Sequence, residues 1–172
     1  LEKITLYMLE NMQTSNSFFQ PYFEILPRNI SHIPIFWSDE ELEFLEASHL
    51  LDDIVKRQNL LKESYDSLCK LKGFASHFSF KDYCYVRIIV ASRNFGIFLN
   101  GSHVSAMVPL ADMLNHNTPP DVKWTFEDAL NSFTMRANNN IASGKQIMDS
   151  YGKKDNDKYL LFYGFSLKNI ED

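Results

Sequence analysis

The chain changes character at Gly96, and that change limits what it can fold into. Before it, apolar residues recur at helical spacing; after it, short β-like runs alternate with Asn, Pro and Gly turns. Helices first and small strands second predict an α+β domain. "LEKITLYMLENM" sets Leu1, Ile4, Met8 and Leu9 near one face of a first helix, and "PYFEILP" is a short segment bounded by Pro21 and Pro27. Ser38 followed three residues later by Glu41 is a capping-box pattern with acidic residues in the first turn, and predicts a helix over about 39–48. Leu50, Ile54, Leu61, Leu68 and Leu71 predict a longer helix over 50–71, with Gly73 beyond its end. Ser79 and Asp82 repeat the capping pattern ahead of a nearly all-apolar stretch from Tyr83 to Ala91, which predicts a buried helix. Arg87 and Arg93 interrupt that helix, and a buried arginine requires a partner. The expected strands cover 104–110, 122–127, 131–136 and 146–149. "NDKYLLFYGF" closes the chain as a helix, with Asp155 as N-cap and Gly164 as its stop.

A chain of 172 residues can bury a core without metal or disulfide. Cys69 and Cys84 make neither a CxxC nor a zinc spacing, so both are expected as reduced thiols of an intracellular protein, cytoplasmic or nuclear. No membrane span and no signal peptide are expected. A net charge of -5 argues against direct nucleic-acid binding and suits a basic peptide partner. Aromatic residues make up 14% of the chain, enough to pack a core or to line a narrow channel.

The most unusual stretch is "VPLADMLNHN" at 108–117, in which an apolar run, read as the end of a core strand, gives way to Asp112, Asn115 and His116. Taken alone, Asp112 and Asn115 could cap a turn, and His116 could be a satisfied structural histidine. Five scattered histidines form no HxxxH or HExxH pair, so no metal site is expected. No nucleophile elbow, Walker loop or GxGxxG is present either.

"VPLADMLNHN" followed by "GKQIMDSYGKKDNDKYLLFYGF" resembles the C-terminal half of a SET-domain protein methyltransferase. The similar branch holds the plant Rubisco large-subunit lysine methyltransferase and the actin histidine methyltransferase. "PYFEILPRNISHIPIFWSDEELEFLEASHL" resembles the helical insertion of that branch, and "ASRNF" its Ser-Arg element. The resemblance implies a SET domain (β-clip fold), with the helical insertion over 1–95 and the C-terminal half over 96–172. The glycines at 73, 96, 101, 144, 152 and 164 include no Gly-x-Gly pair, so the first SET strands are expected to be missing from this chain.

The implied activity is methyl transfer from S-adenosylmethionine to a lysine of a protein or peptide substrate, with histidine as the second choice of acceptor. Tyr151 is implied as the catalytic residue. Arg93, Asp112, Asn115, His116 and Phe165 are implied as cofactor contacts, and Tyr163 and Phe126 as walls of the acceptor channel. The competing reading is a non-catalytic SET-like interaction module or an inactive fragment.

Overall fold

The computed structural model describes residues 1–168, so residues 169–172 of the expected segment 96–172 lie outside the described residues. In chain order the helices are α1 (Glu2–Met12), α2 (Gln20–Ile25), α3 (Asp39–Glu43), α4 (His49–Leu68), α5 (Phe74–His77) and α6 (Phe80–Arg93). The strands are β1 (Asn94–Leu99), β2 (Ser102–Met107), β3 (Asn115–His116), β4 (Val122–Glu127), β5 (Ser132–Ala137) and β6 (Met148–Asp149), and α7 (Asn156–Tyr163) follows them. The α+β class is therefore observed. The chain divides into two compact units, Leu1–Ser92 joined by the chain from Lys154 onward, and Arg93–Lys153.

In the helical unit the Ser38 capping box forms. The Ser38 hydroxyl accepts the Glu41 amide at 3.3 Å, and the Glu41 carboxylate accepts the Ser38 amide at 2.8 Å. The helix it starts ends at Glu43, short of the expected 48, because Ala47 turns left-handed at φ 69° and Ser48 caps a new helix. That helix, α4, begins at His49 and stops at Leu68; Gly73, at φ 86°, introduces α5 and does not cap α4.

Leu42, Leu50, Ile54 and Leu161 form a buried cluster, with Trp37, Leu45, Leu51, Leu160 and Phe162 packed around it. Helix α7 is fastened along α4 by polar contacts as well. His49 Nε2 lies 2.7 Å from Asp157 Oδ2, and Arg57 Nη1 donates to the Leu161 carbonyl at 2.6 Å while its guanidinium lies 4.3 Å over the Phe162 ring. Burial lowers the Arg57 pKa to about 10, helped by the Arg87 charge.

Helix α6 starts as expected, Ser79 and Asp82 exchanging amide-to-side-chain bonds of 3.1 Å each. Tyr83, Val86, Ile88, Ile89 and Val90 are all buried, which is why this helix lacks a polar face. Arg87 answers its charge with Glu2 at 3.7 Å.

At the other end, Asp155 accepts the Lys158 amide at 2.8 Å, and Gly164 closes α7 at φ 76°. A Cβ at Gly164 would collide with the His32 ring and come within 3.1 Å of its carbonyl oxygen. Gly164→Ala is therefore expected to cost about 2 kcal/mol or more, combining left-handed strain with overlap, and urea unfolding of the two proteins checks it.

The second unit holds three two-stranded sheets. β1 and β2 are antiparallel around Asn100–Gly101, β4 and β5 are antiparallel, and β3 and β6 are parallel over two residues. Strand β1 was not anticipated, and Phe95 within it makes edge contacts with Trp124 and Phe133, each at 5.1 Å. The expected strand 104–110 is instead 102–107. Beyond Met107 the apolar run is no core strand: it turns at Leu110, which has φ 74° and is 68% exposed, and passes into a 3-10 turn over Ala111–Met113. Among the described residues no helix is long and apolar enough to cross a membrane.

Candidate functional site

Arg93, the last residue of α6, meets the 3-10 turn. Its Nη1 donates to the Asp112 carbonyl at 2.8 Å and to Asp112 Oδ2 at 3.3 Å, and touches the Met113 sulfur at 3.6 Å. The Asp112 side chain has no exposed surface and that of Arg93 is 21% exposed, so this is a desolvated ion pair. Within "VPLADMLNHN" burial is thus reversed: Leu110 faces solvent while Asp112 is buried, because an arginine waits for it there. Nη1 alone of the Arg93 nitrogens is engaged among the described residues, leaving Nε and Nη2 as donors for a ligand.

After the turn, Asn115 and His116 form β3 with Met148 and Asp149 as their partners in β6. β6 is held further by Asp121, whose amide donates to the Met148 carbonyl and whose carboxylate accepts the Met148 amide, both at 2.9 Å. The chain leaving β6 reaches Tyr151, which is tied to the same turn twice. Its amide donates to His116 Nδ1 at 3.0 Å, and its hydroxyl donates to the Leu114 carbonyl at 2.8 Å. The two rings stack, with centroids 5.3 Å apart and an interplanar angle of 28°. Burial pushes the Tyr151 phenol above its usual pKa, with the Asp149 and Asp112 charges adding and Arg93 opposing. The phenol is therefore neutral at physiological pH, and its hydroxyl keeps its proton.

Of the sequence-expected residues, Arg93 joins Asp112 and His116 joins Tyr151, while Asn115 holds its side chain in solvent beside them. Phe126 sits in β4 opposite Phe133, half-buried. Tyr163 and Phe165 belong to the helical unit. There Phe165 stacks on Tyr159 at 5.3 Å, Tyr163 lies 6.1 Å from Phe165, and the Lys154 ammonium lies 5.7 Å over the Tyr163 ring. Asp149 escaped the sequence reading. It is only 4% exposed, lies opposite His116 in register, and burial raises the pKa of its carboxyl. Its signal was a lone acid two residues ahead of Tyr151 in "IMDSYG".

Among the described residues no group of three or more His, Cys, Asp or Glu could hold a metal ion. The cluster offers guanidinium donors, an exposed amide and a neutral phenol. Such groups can donate and accept hydrogen bonds with a polar ligand.

No protein-family model matches the chain. The chain is 26% identical over 169 residues to a ribosomal lysine N-methyltransferase of Schizosaccharomyces pombe, covering 95% of this chain and 30% of that protein. It is 28% identical over 178 residues to the chloroplastic Rubisco large-subunit N-methyltransferase of Pisum sativum, covering 94% and 36%. The chain thus spans about a third of the length of the curated relatives it matches. Among solved structures, the SET domain of Rubisco LSMT bound to lysine and AdoHcy superposes with a TM-score of 0.82 at 24% identity, over 98% of this chain and 40% of that one. The fold is that of the matched part of a SET domain, and the chain's relatives by sequence are protein methyltransferases.

Proposed function

We propose, from this kinship with the SET-domain protein methyltransferases, that the chain is part of an S-adenosylmethionine-dependent enzyme that methylates a lysine side chain of a protein substrate. The observation that supports it most is the double tie of Tyr151 to the turn carrying Asn115 and His116. Residues 1–95 serve as the helical insertion and 96–172 as the C-terminal half of the SET domain. The protein works in the cytoplasm or nucleus, a reading supported by the free thiols of Cys69 and Cys84.

The donor set suits a zwitterionic ligand. Arg93 would receive a carboxylate through its remaining guanidinium N–H groups, with Asp112 fixing the plane of that guanidinium. Asn115 would bond the cofactor through its solvent-facing amide, and His116 through its backbone. When bound, S-adenosylmethionine supplies a methyl group on a positively charged sulfur with a good leaving group.

The protein's own task is alignment, exclusion of water and delivery of a neutral amine. With a lysine reference pKa near 10.4, neutralising the ammonium at pH 7 costs about 4 to 5 kcal/mol. Aromatic, apolar surroundings reduce that cost by penalising the charged form, and Phe126 is a candidate wall for such a channel. Tyr151, neutral and fixed at both ends, orients the amine.

Calorimetric titration of S-adenosylmethionine into this chain and into Asn115→Ala tests the proposal. Binding that weakens at least tenfold in the variant is expected. A folded chain that binds no cofactor, or a variant that binds as well as the parent, would refute the assignment and favour a non-catalytic SET-like module.

A further inference from the structure

We propose that the helical unit carries a binding site for a medium-chain fatty acid, with the alkyl chain in a cleft between α4 and α6 and the carboxylate at the lysines of its rim. The cleft has a volume of about 420 Å³, within the range of small-molecule sites, roughly 300 to 1,000 Å³. Of the residues lining it, Ile35, Leu61 and Cys84 are buried, and Phe36 and Phe80 add aromatic surface. Burial pushes the Cys84 thiol up to about 11, so it stays uncharged. Gln58 Nε2 donates to the Ile35 carbonyl at 3.0 Å, which ties the 3-10 turn Pro34–Phe36 to α4 and satisfies that carbonyl. Asn59 is exposed at the edge. The body of a ligand seated on Ile35, Leu61 and Cys84 must therefore be apolar.

The charge lining the cleft is of one sign. Lys62 and Lys81 line it, and among the described residues no acid does. Lys62 pairs with Asp66 and lies 5.8 Å over the Phe80 ring, while Lys81 forms no ion pair among the described residues. Phe80 and Lys81 also open α6, and their amides meet no acceptor among the described residues. The unpaired amides of a helix start add partial positive charge at that end. Asp82, the acid of this first turn, is occupied by the Ser79 amide at 3.1 Å and the Ser79 hydroxyl at 2.6 Å. A neutral apolar ligand would leave the positive rim unanswered, and a cation would be repelled by it. An alkyl carboxylate answers both the apolar lining and the rim.

The site lies within one unit and does not rest on the methyltransferase reading. NMR titration of the isotope-labelled full chain with decanoate at low salt, and with decanol as the neutral control, tests it. Saturable shifts are expected at Ile35, Leu61 and Cys84. The double variant Lys62→Gln, Lys81→Gln is expected to weaken decanoate binding about fivefold or more, the combined scale of two exposed charge pairs, and to leave decanol binding within about twofold. Both lysines are exposed, so the variant keeps the fold. Decanoate shifts that do not saturate, or that fall outside the cleft, would overturn the site. A variant that binds decanoate like the parent, or that loses decanol to the same degree, would overturn the fatty-acid assignment. Either failure would leave the cofactor titration untouched.

Discussion

Arg93→Leu is expected to lower the stability of the unit around Trp124 by about 3 to 5 kcal/mol, because it takes the guanidinium away from the Asp112 carboxylate, whose side chain has no surface in solvent. The guanidinium also holds the Asp112 carbonyl at 2.8 Å, so the turn ahead of Asn115 loses that bond as well. Adding Asp112→Asn to the same protein should restore much of the loss, since a buried carboxylate deprived of its cation costs more than the lost attraction itself. Urea unfolding followed by tryptophan fluorescence gives all four corners of that cycle. A single-variant loss below about 1 kcal/mol would mean that water reaches Asp112 and that the pair does not set the turn.

Tyr151→Phe is expected to reduce methyl transfer by two orders of magnitude or more while leaving S-adenosylmethionine affinity within about threefold, the usual scale for removing one preorganised hydrogen-bond donor. The amide tie to His116 does not involve the hydroxyl, so the backbone of the variant should stay in place. What it loses is the bond to the Leu114 carbonyl, with a stability cost of about 1 to 3 kcal/mol. Single-turnover transfer of labelled methyl, set beside calorimetry, separates the two effects. Transfer at the parent rate would remove Tyr151 from the catalytic role.

Helix starts were legible in the sequence wherever the signal was local: the caps at Ser38, Ser79 and Asp155 all form. Misreadings arose where a distant contact decided. The stretch after Glu43 has helical spacing, yet Ala47 breaks it so that Ser48 can start α4 in a direction that buries Leu50 and Ile54 with Leu161. β1 was hidden because α6 runs into it with no turn residues between Arg93 and Asn94, and Gly96 in its centre reads as a break.

In the candidate site, the residue types in "VPLADMLNHN" were legible through their resemblance to a known family. Which of them would be buried was not, because Asp112 is drawn in by an arginine 19 residues away in the chain. Asp149 was missed for the same reason. It lies opposite His116, which belongs to another strand, and nothing adjacent in sequence announces that register.

Helix α7 carries a cost in time as well as in space. Its links to α4 span 104 residues from Arg57 to Leu161 and 108 from His49 to Asp157. Contacts that distant in sequence slow folding, since a long loop must close before they contribute. On the ribosome, α4 emerges early, and the cluster of Leu42, Leu50 and Ile54 stays incomplete until Leu161 has been made. That interval is when a nascent chain of this kind is most exposed to aggregation and most in need of a chaperone.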